Sequence, residues 1–513
     1  MLGAFSKRAN SIVSSTQSLP SPVGGWNVRD SIANMAEEDA VIMDNWFPTP
    51  SDIMVRKGQT SFATGLGSQV ESLMFFNSKT GTNKLYAAAG SNIYEVTNGG
   101  AVGTASVTAL SNSRFQFVNF NNAAGTTYLY AVNGTDAPLL YDGSSWTNPA
   151  ITGFTASSAI NINVFKERIW LVQKDTMKAW YLNTGAIQGT AAAVDLSGFA
   201  YKGGYLMAMG TWTLDAGKGV DDYAVFITSK GQAIVFEGTD PTSSSTWNMR
   251  GVWDLGEPIG RRCFLKFGGD LLLICVDGVV PMSKALISSR VNPRIALTDK
   301  IQGAMQVAGS NYSDNFGWEL CGFDTETMLI LNVPVQEGQS QEQYAMNTIT
   351  GSWCRFTDVE ANCWVIYDDR AYFGGNGFVG RFWDGYEDLG DNISAECLQA
   401  FSYFKERGRL KHFKEARPIL SSNGTPSILA VLEVDYQTQS TTGALSFSPT
   451  AYGVWDTATW DNGVWGADLT ILRNWQTLAN IGTSAAVHFY VAQKGIETRW
   501  LATDFLFERG GVI

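Results

Sequence analysis

Charge and histidine are scarce in this chain: 16% of its 513 residues are charged, and His412 and His488 are the only two histidines. Neither histidine sits in an HExxH or HxH pattern, so a zinc site or a Ser-His-Asp system would rest on one imidazole. Both are read as structural. The six cysteines, Cys263, Cys275, Cys321, Cys354, Cys363 and Cys397, form no CxxC pair. Scattered thiols of this kind are expected to be reduced, buried small hydrophobes. No run of about 18 apolar residues occurs, which argues against a membrane-spanning helix. Met1 to Pro20 lacks the continuous apolar core of a secretory signal, so the chain is expected to be made in the cytoplasm. Lys and Arg number 36 against 48 Asp and Glu, a net charge of −12 that opposes any reading in which the whole surface grips phosphate. Metal and cofactor are expected to be absent. The 48 carboxylates leave two-carboxylate glycosidase chemistry open as the enzyme alternative.

What is abundant is glycine and aromatic surface. With 53 glycines against 14 prolines and 12% aromatics, the composition suits many short strands joined by tight turns, and the expected class is all-β. Residues 1–60 are read as an arm, without periodicity up to residue 24, followed by a short helix. Asn34 would cap that helix, Glu37 would complete a capping box, and Glu38 and Asp39 would favour its positive end. It would stop before Pro48 and Pro50.

From residue 61 to 390 one theme repeats: a short aromatic or β-branched strand, a polar turn, and a second strand of the same kind. Copies begin at Leu85, Tyr128, Ile169, Tyr223, Leu271, Met328 and Ala371, spaced about 40 to 57 residues apart. That spacing matches four-stranded propeller blades. A lone blade exposes two apolar faces, and stacking blades around an axis covers them. The expectation is a β-propeller of about seven blades, with six as the alternative closure. Nearly continuous apolar runs at Leu271–Val276 and Met328–Leu331 mark strands covered on both faces. Ala186–Gly219 and Ile287–Ser313 are read as inter-blade insertions. Residues 391–513 have another character, with strand-like runs at Ser427–Tyr436, Ala485–Gln493 and Glu497–Phe507. They are expected to form a β-sandwich-like platform domain.

Several stretches carry a resemblance. GGWNVRDSIANMAEEDAVIMDNWFP followed by VRKG at Val55–Gly58, NTITGSW at Asn347–Trp353, FWDGYEDLGDNI at Phe382–Ile393, FSYFKERGRLKHFKEARPIL at Phe401–Leu420, and the closing FERGGVI occur in one order along nearly the whole chain. Together they resemble the tail nozzle, or tail tubular protein B-like, chains of short-tailed bacteriophages. The resemblance implies a non-enzymatic virion tail protein made in the host cytoplasm. It further implies a hexameric ring below the portal and adaptor, in contact with adaptor and with tail fibre or spike proteins, through which viral DNA passes without sequence-specific binding. The competing reading is a sugar- or receptor-binding propeller at the tail tip.

Three sets of residues are candidates for contact or for holding the blades. The turns around Asp142 and Trp146, and around Thr350 and Trp353, resemble the Asp boxes of sialidases. They are read as staples in which Asp142 or Thr350 satisfies turn amides and the Trp packs. Trp455, Trp460 and Trp465 lie five residues apart, a spacing that favours a packed turn or subunit contact over a sugar platform. Lys405, Arg407, Arg409, Lys411, Lys414 and Arg417 form one basic run in an acidic chain. They are read as a solvated or acid-paired face, as a subunit interface that fixes ring register through charge complementarity, or, third, as a contact with DNA.

Overall fold

The computed structural model describes residues 14–79, 81–213, 222–243, 245–288, 293–437, 443–445 and 469–512. The chain divides into two compact units. Residues 1–58, 352–355 and 385–513 form the first, and residues 59–351 and 356–384 form the second.

The second unit is a seven-bladed β-propeller. Its blades are consecutive antiparallel sheets that begin with the strands Val70–Phe76, Gln116–Asn121, Ala159–Phe165, Leu206–Thr213, Phe264–Phe267, Glu319–Phe323 and Trp364–Tyr367. These first strands lie side by side in sequence order around the axis, and the last returns to the first. One 18-residue strand, Gln59–Phe76, closes the ring. Its first half pairs with Asn376–Phe382 to complete blade 7, with Gln59 opposite Phe382. Its second half pairs with Lys84–Ala89 and opens blade 1. Gly65 and Gly67, both at positive φ, allow the bend between the halves.

All seven repeated hairpins fall on the second and third strands of successive blades. These strands read clearly because blades cover them on both faces. In blade 3, for example, Ile169, Leu171 and Val172 are fully buried. The cores sit between neighbouring blades. Between blades 3 and 4, Trp170 stacks on Trp247 at 5.5 Å and Trp247 on Phe236 at 5.3 Å, with Phe226 at the edge of Trp170. Among the described residues blade 5 has three strands. Leu297 N–H to Val279 O at 2.8 Å and Val279 N–H to Thr298 Oγ1 at 3.1 Å satisfy the outer edge where a fourth would lie.

The segment Ala186–Gly219 is less of an insertion than expected, since it holds the outer strand of blade 3, Ala192–Asp195, and the first strand of blade 4, Leu206–Thr213. Ile287–Ser313 does carry added structure, chiefly the helix Gln302–Tyr312.

In the first unit the expected helix after Asn34 is absent. Residues 39–44 form the strand Asp39–Asp44, which pairs antiparallel with Ile393–Gln399 and parallel with Gly25–Trp26. Tertiary pairing of the apolar DAVIMD run overrides the local capping signal. Glu37 accepts from the Ser402 hydroxyl instead of capping amides, and the Asp39 carboxylate accepts from Asn27 Nδ2 at 2.7 Å. Part of the arm is also paired: Ser14–Pro20 runs antiparallel to the last strand, Thr498–Val512, with Leu19 buried. The predicted runs after residue 391 are strands: Ile428–Val434, Ala485–Gln493 and Thr498–Val512. Ile428–Val434 and Ile393–Gln399 flank Ala485–Gln493 in one sheet, and Arg409–Ser422 pairs with Thr498–Val512 in another. Phe489 of the one sheet packs at 4.4 Å on Trp500 of the other.

Candidate functional site

The first strands line an axial passage, and those of blades 2 and 3, QFVNFN and AININVF, place polar side chains against it. A cavity of about 380 Å³ occupies its middle, with Gln116, Asn161, Asn163, Arg262 and Glu319 among its lining. Asn161 Nδ2 donates to Gln116 Oε1, joining blades 2 and 3. Asn161 Oδ1 accepts from Met209 N–H at 3.0 Å and Asn163 Nδ2 donates to Met209 O at 2.8 Å, joining blades 3 and 4. Gln116 Nε2 donates to Arg261 O at 3.0 Å.

Arg262, just ahead of the first strand of blade 5, crosses the passage. Its Nη2 donates to Glu71 O at 2.9 Å, Ser72 Oγ at 2.6 Å and Phe115 O at 2.9 Å, and its Nη1 to Glu319 Oε2 at 3.2 Å. Glu319 Oε2 also accepts from Trp364 N–H at 3.1 Å. One side chain thus links blade 5 directly to blades 1, 2 and 6, and through Glu319 to blade 7. Burial pushes the Glu319 carboxyl above its ordinary value, opposed by the Arg262 charge and the Trp364 amide. A planar guanidinium supplies the fixed donor fork this requires.

At one mouth, Arg114 Nε donates to Glu71 Oε1 at 3.0 Å and its Nη2 to Glu337 Oε1 at 2.6 Å. Arg114 and Arg262 both lie over the Phe316 ring, at 4.3 and 5.1 Å from its centroid. The two axial carboxylates, Glu71 and Glu319, are therefore each held by an arginine. Nothing in the sequence marked this site. It is built from lone residues on separate blades, with no spacing in common.

The turn residues chosen from sequence divide. Asp142 Oδ1 accepts from the amides of Ser144 and Ser145, both at 2.8 Å. These bonds, Ser145's first, hold its carboxyl below the ordinary value. Trp146 packs on Tyr86 and Tyr141 at 5.1 and 5.2 Å. In the second turn the amide acceptor is Asn347, whose Oδ1 takes the N–H groups of Ile349 and Thr350 at 2.9 and 3.2 Å. Trp353 begins the strand Trp353–Phe356 and is fully buried.

The basic run is dispersed. Lys411 is fully buried, its Nζ donating to the carbonyls of Glu406, Arg409 and Thr483 at 2.8, 3.1 and 2.8 Å, and burial lowers its pKa. Arg417 donates to Asp504 at 2.6 Å and lies over Trp475; Lys414 approaches Glu508 at 3.3 Å and Arg409 approaches Glu406 at 3.7 Å. Lys405 and Arg407 are exposed, Arg407 over the Tyr403 ring at 4.6 Å. Trp455, Trp460 and Trp465 lie outside the described residues.

His488, buried, has Nε2 at 2.9 Å from Glu396 and Nδ1 at 3.3 Å from Glu433, a strand-to-strand clasp in the first unit. The six cysteines are buried and unbridged, and burial pushes the Cys263 thiol up to about 12. Among the described residues no group of three or more His, Cys, Asp or Glu is placed to hold a metal ion, and no helix is long and apolar enough to cross a membrane.

No family model and no curated protein matches the chain. Solved structures similar to it include YCF48 bound to D1 peptide, at 11% identity and TM-score 0.38, covering 66% of this chain and 94% of that one. The Cps50 (Swd1) β-propeller domain of Myceliophteria thermophila matches at 13% identity and TM-score 0.40, covering 64% and 99%. A quinonprotein alcohol dehydrogenase-like protein from Bacteroides thetaiotaomicron matches at 11% identity and TM-score 0.34, covering 61% and 68%.

Proposed function

We propose that this chain is a structural, non-enzymatic subunit of a tail nozzle or hub ring in a short-tailed bacteriophage, prolonging the channel by which DNA leaves the particle. The observation that carries this reading is that most segments of the sequence resemblance belong to one unit and bond to one another. Arg56 of VRKG is fully buried. Its Nη1 donates to Asp388 of FWDGYEDLGDNI at 2.8 Å and its Nε to Asn45 of DNWFP at 2.8 Å. Asn45 Nδ2 in turn donates to Ser394 O at 2.7 Å. Asp44 receives Arg355 Nε at 2.8 Å. Arg56, Asn45 and Asp388, from three of the resembling segments, are thus bonded within one unit, which supports carrying over the family's architecture.

Two physical arguments agree with a conduit. Each phosphate held by a fixed cation must be released again as DNA slides, so an acidic wall with few free cations lowers friction. A chain of net charge −12 meets that condition. The propeller's own passage is crossed by Arg262 and leaves a cavity of about 380 Å³, too small for a duplex. DNA would therefore run along the axis of a ring of subunits. Such a ring needs head-to-tail contacts between different patches of each chain.

The exposed Arg407 and the partly exposed Arg409 are the candidate charges for that contact, and reversing both, Arg407→Glu with Arg409→Glu, is expected to leave monomers where the parent forms rings. Native mass spectrometry reads the difference. Unaltered oligomers would remove the charged contact from the account, and a parent chain that stays monomeric with its tail partners would remove the ring.

A further inference from the structure

One mouth of the axial passage opens into a cavity of about 680 Å³, within the range of small-ligand and peptide-anchor sites. Four cations line it, Arg114, Lys174, Arg261 and Arg262, against two carboxylates, Glu71 and Asp314. That balance is the reverse of the chain's net charge of −12. Arg114 and Arg262 are consumed by Glu71, Glu337 and Glu319. The other two are not. Among the described residues the Arg261 guanidinium and the Lys174 ammonium make neither hydrogen bond nor ion pair. Arg261 comes from the segment entering blade 5, Lys174 from blade 3, and both face the cavity. Asp175 and Tyr205 partly offset the Arg261 charge, while Arg114 repels it. Arg261 and Lys174 are both exposed, so water solvates their charges and an incoming anion can reach both.

We infer that this mouth is a docking site for an acidic peptide segment of a partner protein, with Arg261 and Lys174 as the carboxylate-binding pair. Carboxylate fits better than sugar because the aromatic faces here are taken. Phe316 lies under Arg114 and Arg262, and Trp318 is 2% exposed with its indole N–H donating to Tyr312 O at 2.8 Å. Of the two rings in the lining, one is buried and the other already carries two guanidinium groups, which leaves little ring surface there for a sugar to stack on. The site belongs to the monomer and does not depend on ring formation.

The test is fluorescence anisotropy of a labelled oligo-glutamate peptide with the full chain, beside an oligo-glutamine peptide and a free hexuronate as competitor. The glutamate peptide is expected to bind, to weaken with added salt, and to lose at least about tenfold in affinity in the Arg261→Gln, Lys174→Gln double variant. Lys230→Gln, at a cation outside the cavity and paired with Glu257, should leave binding unchanged. The replaced side chains make no bond in the fold, so thermal melts should match the parent. If the double variant melts early, Lys174→Glu alone provides the same comparison. Equal binding of the glutamine peptide, preferential binding of the hexuronate, no binding of the glutamate peptide, or undiminished affinity in the variants would overturn the assignment.

Discussion

Removing the axial arginine should reveal how the propeller is held shut. Arg262→Ala deletes four hydrogen bonds and leaves Glu319 without its cation. At the observed 3.2 Å the lost attraction is about 5 kcal/mol at an effective dielectric of about 20. Water entering the passage recovers some of that, so the expected loss is about 3 to 5 kcal/mol, the range for breaking a buried pair from one side. The pH dependence follows from Glu319, whose carboxyl burial already raises above 4.5. A carboxyl with a raised folded pKa contributes stability in acid, where the folded state keeps its proton, and loses it as pH rises through the folded value. Without Arg262 the value rises further. The penalty of the variant should therefore be smaller near pH 4.5, where only the bonds to Glu71 O, Ser72 Oγ and Phe115 O are lost, and grow towards pH 8. Urea unfolding followed by tryptophan fluorescence measures it. The double variant Arg262→Met, Glu319→Leu removes both charges and should lose less than Arg262→Ala at pH 8. An Arg262→Ala penalty that does not change with pH, or a double variant as unstable as the single, would refute the reasoning.

Two further substitutions test the packing and the staples. Trp170→Ala empties the stack between blades 3 and 4, where Trp170 meets Trp247, Phe226 and Tyr181, and should cost about 3 to 5 kcal/mol in urea unfolding. Arg56→Lys keeps the charge but cannot serve Asn45 and both oxygens of Asp388 at once, so a loss of about 2 to 3 kcal/mol is expected; an unchanged unfolding midpoint would show that the fork geometry is immaterial.

The propeller was legible because its middle strands are covered by neighbouring blades on both faces and so appear as apolar runs. Leu271–Cys275 and Met328–Leu331 are buried throughout, and each lies second in its blade. The strands against the axis were hidden for the opposite reason. QFVNFN and AININVF carry Asn119, Asn161 and Asn163, which bond to backbone groups of neighbouring blades and break the apolar signal of those two strands. The false helix came from a locally sound cap at Asn34 and Glu37, overruled by strand pairing with residues about 360 positions away, information that no local window contains. In the turn at Thr350, Asn347 Oδ1 accepts from the Ile349 and Thr350 amides, a role that an Asn side chain fills in turns as an Asp does. Arg261 and Arg262 are two among 36 basic residues, and only closure of the ring distinguishes the strut from its unpaired neighbour.

Electron cryo-microscopy of the purified chain mixed with its tail partners bears most directly on the proposed role. The account predicts a six-fold ring with an open axial hole, the propellers arranged around that hole and each propeller's own passage closed by Arg262. Isolated propellers, or an assembly with no axial opening, would contradict it.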